Sequence, residues 1–217
     1  SDYLRAAGGA CPEITSLMWY ALRSVGLPVN YDYIIQWANR SQSHSWNSLR
    51  VDSVLYSFRM SDPEFGKHFE SRPQERVGKV YRKMFSFQPQ SLPNQRGALA
   101  EGIPSAFRSP FIKDVSESYF DGIDLAMKLT IPIAAKKKFA YLVVFDNRNW
   151  VPVAWSRIKR GRVAFDHVEK GCAYMVMYYA RGLLLPATDP FTVSKEGGVV
   201  VRKPDGAEVS VTLKRKY

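Results

Sequence analysis

One change of periodicity governs what this chain can fold into. Between Pro12 and Val25, the residues Ile14, Leu17, Met18, Ala21, Leu22 and Val25 recur at spacings of three and four. That spacing draws one apolar stripe on an α-helix. Pro12 suits the first helical turn, where its missing N–H costs nothing. Gly26 suits the position just past the end, and Pro28 prevents resumption. Beyond this stretch, apolar residues come in strand-length runs divided by turn residues. An α+β fold is expected, with the helix packed on a small antiparallel sheet.

The strand candidates fall in two groups. Val29–Gln36, His44–Val51 and Val54–Arg59 lie close together, with Asp52-Ser53 as a tight turn between the last two. In His44–Val51, alternation puts His44, Trp46 and Ser48 on one face and Ser45, Asn47 and Leu49 on the other. Residues 64–109 are broken by Pro73, Pro89, Pro93 and Pro104 and read as an irregular connector, with one ordered piece around residues 77–87. From 110 to 217 about eight short strands are expected: Tyr119–Leu129, Phe139–Asp146, Val151–Ile158, Arg162–Asp166, Ala173–Tyr179, Leu183–Pro186, Gly198–Lys203 and Glu208–Lys214. Such a series reads as an antiparallel β-sandwich. The division is therefore 1–63 core, 64–109 connector and 110–217 β-sandwich domain.

Composition narrows the chemistry. No apolar run reaches the roughly 18–20 residues of a membrane-spanning helix. Two cysteines exclude a disulfide scaffold and a four-cysteine zinc site, and three histidines argue against a histidine-rich metal site. No metal and no cofactor are expected. The formal net charge is +11, spread along the chain apart from Lys136-Lys137-Lys138 and Lys214-Arg215-Lys216. Without a nucleic-acid motif, these runs are read as solvated and no nucleic acid is expected as partner. Ser1-Asp2-Tyr3-Leu4-Arg5 carries neither a charged n-region nor an apolar h-region.

Cys11 sits between the Gly8-Gly9 turn and the first helical turn. Unpaired N–H groups and the helix dipole favour a thiolate there and can hold an oxyanion. His44, 33 residues on, is a candidate base for that thiol. A carboxylate should orient the imidazole from behind, and Asp62 is preferred to Asp52, which falls in the tight turn. Trp37 and Trp46 are candidates to line the cleft. His68 and His167 read as surface or structural residues, Cys172 as packed, and Arg40 as solvated, with attraction of a substrate carboxylate as the alternative. Trp150 and Trp155 are read as anchors, with a sugar-binding platform as the alternative.

A cysteine at a helix start, then His44-Ser45-Trp46-Asn47 on one strand, then Asp62-Pro63 after the next, resembles the transglutaminase-like core. Cys11-Pro12-Glu13-Ile14-Thr15-Ser16-Leu17, the stretch Leu22 to Val29, and Trp37-Ala38-Asn39-Arg40 resemble its bacterial members, and residues after 110 are similar to the β-rich region of some Bacteroidetes proteins. The resemblance covers about residues 8–63. It implies a papain-like core and a Cys11–His44–Asp62 triad for acyl transfer, with hydrolysis of a peptide or isopeptide amide favoured over transamidation. It also implies a peptide or protein substrate, a possible glycan partner for the second domain, and export to the periplasm or cell surface. Only ten residues precede Cys11, where members of the family carry helical structure, so the core is expected to be N-terminally incomplete. The alternative is a non-catalytic glycan- or protein-binding protein with a residual core.

Overall fold

A computed structural model describes residues 11–203, except 61, 63–64, 67, 70–73 and 134–135. The fold is α+β and mostly antiparallel, with two sheets, a two-stranded ribbon and few helices. The strand expected at Glu208–Lys214 lies outside the described residues. Among the described residues no helix is long and apolar enough to cross a membrane.

Helix α1 spans Cys11–Ser24. Its end is closed by paired backbone bonds, Gly26 N–H to Arg23 O at 3.0 Å and Leu27 N–H to Leu22 O at 3.1 Å, with Gly26 at φ +89°. This is the left-handed stop that glycine favours. The buried face differs from the expected apolar stripe. Thr15 and Trp19 are buried, whereas Leu17 and Val25 are exposed. The reason is the surface the helix meets. Thr15 Oγ1 lies 3.1 Å from Ser45 Oγ, and Asn47 Nδ2 donates to Thr15 O at 3.2 Å. Hydrogen bonds to a polar strand, more than apolar periodicity, set the rotation of α1.

That strand belongs to a five-stranded sheet with order β3-β2-β1-β4-β5. Its members are β1 (Asn30–Ile34), β2 (His44–Val51), β3 (Val54–Phe58), β4 (Tyr81–Lys83) and β5 (Ile112–Asp114). The Asp52-Ser53 turn pairs Val51 with Val54. Ile34 pairs with His44 and Asp32 with Trp46. Alternation then sends Ser45 and Asn47 to α1, while His44, Trp46 and Ser48 face the other way.

The second sheet is built from β7 (Phe139–Phe145), β8 (Trp150–Arg157), β10 (Cys172–Ala180), β11 (Leu183–Pro186), β12 (Phe191–Val193) and β13 (Val199–Val201). Strands β6 (Gly122–Lys128) and β9 (Arg162–Glu169) form the ribbon. One face of the second sheet packs Ala140, Leu142 and Val144 against ribbon residues Leu125, Val163 and Phe165. The opposite face packs Phe139, Tyr141 and Val143 with Tyr81, Ile112, Leu92 and Phe107. Burial on both faces explains why β7 reads as one apolar run rather than an alternation. Leu92, Ala98, Ile103 and Phe107, all from the proline-rich stretch, lie in this shared core, carried partly by the short helix α2 (Ala98–Glu101).

Candidate functional site

The polar interior of the first sheet is where the candidate residues gather. Cys11 opens α1 and is partly exposed. Among the described residues its sulfur has one hydrogen-bond partner, Arg59 Nη2 at 3.5 Å. Arg59 follows β3, and its backbone N–H donates to Asp62 Oδ2 at 2.6 Å. The Asp62 carboxylate lies 3.0 and 3.2 Å from His68 Nδ1. His68 Nε2 in turn lies 2.9 Å from His44 Nε2. Arg59 therefore touches both the sulfur and the carboxylate that anchors the histidines.

Two expectations change here. Asp62 was expected to contact His44, but His68 stands between them, so Asp62 reaches His44 through a second imidazole. His68 is not a surface residue: it is 2% exposed. Its spacing, six residues after Asp62 and just before Phe69, is the sole local signal, and no periodicity marks it. The contact that joins it to His44 spans 24 residues and exists only after folding.

Hydrogen-bond chemistry constrains the tautomers of this row. An ionised carboxylate only accepts, so His68 Nδ1–H donates to Asp62. The two Nε2 atoms of His68 and His44 share one hydrogen bond, whose direction follows from the tautomers. Asp62 is thus connected to His44 through the His68 imidazole, where a direct contact was expected.

Trp37 and Trp46 do not line an open cleft. They are 1% and 0% exposed. Trp37 stacks on His44 with ring centroids 5.3 Å apart, and Trp46 stacks on His68 at 6.0 Å. Phe69 completes the aromatic shell, edge-on to His68 at 4.8 Å. Large rigid rings fix the imidazole planes, which is a positioning task rather than a substrate contact. Arg40 lies over Trp37, 4.3 Å from the ring centroid, and pairs with Glu75 at 2.8 Å while staying exposed, so it is solvated and also covers the indole.

A second polar set underlies the first. Asp32, fully buried, receives Arg82 Nε at 2.6 Å and Nη2 at 2.7 Å. Ser48 Oγ donates to Asp32 Oδ2 at 2.6 Å, and the Tyr119 hydroxyl donates to the same oxygen. Trp46 Nε1–H donates to Tyr119 at 3.0 Å. Burial, and then the Asp32 charge, push the Tyr119 hydroxyl well above its ordinary pKa, so it stays a donor. Burial works against the Arg82 charge, but the bidentate pairing with Asp32 more than offsets it and raises the guanidinium pKa. None of these partners stands out in the sequence, because each is an ordinary strand residue until the sheet aligns it.

The other residues considered have partners within the fold. Cys172 is buried, and burial followed by the nearby Glu169 charge pushes its thiol up to about 12. His167 Nε2 lies 2.6 Å from Phe120 O. Trp150 is tilted against Phe145 at 5.3 Å, and Trp155 meets Phe139 edge-on at 5.9 Å. Among the described residues, no group of three or more His, Cys, Asp or Glu side chains is arranged to hold a metal ion. A cleft of about 860 Å³ elsewhere in the fold includes none of Cys11, His44, Asp62 or His68. No protein-family model, no curated protein and no solved structure matches this chain.

Proposed function

We propose that this chain performs cysteine-dependent acyl transfer on a peptide or isopeptide amide, on a papain-like core, with water as the acceptor. Cys11 Sγ attacks the carbonyl carbon, and its proton passes to His44. The tetrahedral intermediate collapses to a thioester as the amine leaves with the His44 proton. Water, deprotonated by His44, then hydrolyses the thioester and restores the thiol. Backbone N–H groups in the first turn of α1 serve the oxyanion.

One observation carries this reading: Arg59 bridges Cys11 Sγ and Asp62, and Asp62 anchors the His68–His44 pair. The reaction also needs the Cys11 sulfur to move from Arg59 to the His44 ring, and catalytic hydrogen bonds commonly tighten only when substrate binds.

The test is the alkylation rate of Cys11 by iodoacetamide against pH, with Cys172 as the internal reference. Cys11 is expected to react faster than Cys172, and His44→Ala to shift the Cys11 profile. Superimposable profiles for both proteins, with a midpoint near the free-thiol value of about 8.5, would overturn the enzyme reading. The chain would then be a binding protein built on an inactive core.

A further inference from the structure

A wide cleft lined by none of the residues around Cys11 has its own chemistry. Its volume is about 860 Å³, and it opens between the outer face of the β6–β9 ribbon, the end of β8, and β5. Ala126 and Ala164, cross-strand partners that are both exposed, keep the ribbon side shallow. A single methyl on each strand leaves room that any longer side chain would fill.

The wall is cationic. Lys79, Lys113, Arg157, Lys159 and Arg162 line it, against Asp114 and Asp166. Lys79 and Asp114 neutralise one another at 2.6 Å. That leaves four cations whose side chains make no ion pair with the described residues, opposed by Asp166 alone. Surface cations are common, but these four share one concave wall, where their fields add and focus. Arg157 is also held in place: its guanidinium lies 4.8 Å from the Phe139 ring centroid. A guanidinium fixed by an aromatic ring instead of an acid keeps its N–H donors for another anion.

The remaining lining is neutral and polar or aromatic. Gln90 is exposed, Gln88 is half-buried, and Trp155 is half-buried on the same strand as Arg157. A single-stranded nucleic acid needs successive aromatic platforms for its bases. Here Trp155 stands alone, because Tyr81 and Phe165 are buried and the Tyr81 hydroxyl is bonded to Val153 O at 2.7 Å. One indole face, amides and unpaired cations suit a sugar ring that carries an acidic group.

We propose that this cleft binds an oligosaccharide bearing carboxylate or sulfate groups, with Arg157, Arg162, Lys113 and Lys159 on the anions and Trp155 against a sugar face. The site does not depend on Cys11 chemistry.

Calorimetric titration of the whole chain tests it. The probes are tetragalacturonate for carboxylate, a heparin-derived tetrasaccharide for sulfate, and maltotetraose as the neutral sugar. Oligo-dT and polyglutamate represent the other polyanions. At least one charged sugar should bind, more weakly as salt rises. The double variant Arg157→Gln/Arg162→Gln should weaken it by about tenfold or more, since hydrogen bonds between charged partners are lost. Cys11→Ala should leave it unchanged, which separates this site from the acyl-transfer reading. Preference between the two charged sugars identifies the anion. Equal binding of maltotetraose, tighter binding of oligo-dT or polyglutamate, unchanged affinity in a double variant with a native unfolding transition, or no binding of either charged sugar would each overturn the proposal.

Discussion

Strands β2 and β7 are both central, and both are covered on two faces, yet they are buried by opposite means. In β7, Phe139 to Val144 are all buried and, apart from the Tyr141 hydroxyl, apolar, so the strand is held by area removed from water. In β2, the buried run is His44, Ser45, Trp46, Asn47 and Ser48. Each polar member has a named partner: His68 for His44, Thr15 for Ser45, Thr15 O and Asn30 O for Asn47, and Asp32 for Ser48. Apolar burial is non-directional and tolerates rearrangement. Buried hydrogen bonds demand partners at fixed positions and leave costly orphans when one is lost. The second sheet is therefore suited to hold the molecule together, and the first to hold side chains in defined geometry.

The sharpest way to break this contrast is to remove Asp32. Asp32→Ala strands Arg82 and deprives Ser48 and Tyr119 of their acceptor. Breaking a buried pair from one side costs about 3–5 kcal/mol, and urea unfolding should show it. A loss below about 1 kcal/mol would mean that water reaches the network and that β2 is not constrained as described.

The matching cut in the apolar strand is Leu142→Ala, at a residue 0% exposed. The expected loss is about 2–5 kcal/mol from transfer and cavity terms. The two variants should differ in kind. Leu142→Ala should leave Cys11 alkylation unchanged, because the second sheet does not build that site. Asp32→Ala should alter it, because Trp46 joins the Asp32 network to the histidines.

A third test uses pH at the seam between the two regions. Glu169, at the end of β9, accepts the Gly78 N–H at 2.7 Å. Burial raises its carboxyl from 4.5 to about 7, against the opposing effects of Gly78, Arg76 and Val77. The folded state thus favours the protonated form. Its contribution to stability is complete below about pH 4.5 and is lost as pH rises through about 7, a fall of up to about 3 kcal/mol. Thermal melts of wild type against Glu169→Gln should show this slope in the wild type and a flatter curve in the variant. Parallel curves would mean that Glu169 is charged in the fold.

The smallest change in stability is expected at Cys11. Its side chain is partly exposed and loses one long contact with Arg59, so Cys11→Ala should cost about 1 kcal/mol or less. Any amidase or transamidase activity should vanish. Activity that survives this substitution would remove Cys11 from the chemistry while leaving the architecture intact.

Much of the local structure is legible in the sequence. The span of α1 follows from Pro12, the spacing that follows it and the Gly26 stop. The bounds of β2 and β11 match the alternation and turn residues of the sequence, as does the Asp52-Ser53 turn. The short strands β5 and β12 leave no such trace, because three residues carry too little pattern to register. The rotation of α1 departs from expectation for another reason. Periodicity counts apolar residues, whereas the helix is seated by Thr15 on Ser45 and Asn47.

What the chain determines by itself is therefore the set of elements whose signals lie within a few residues: the capped helix, the alternating strands, the tight turns, and a reactive residue type at a helix start. Only the tertiary structure decided that His68 joins Asp62 to His44, that Arg59 reaches Cys11, that Asp32 faces Arg82, and that four cations share one cleft. Most of those partners are separated by tens of residues in sequence, and no propensity encodes them. They meet because strand pairing sets a register and packing turns particular faces toward one another, which are properties of the whole folded chain.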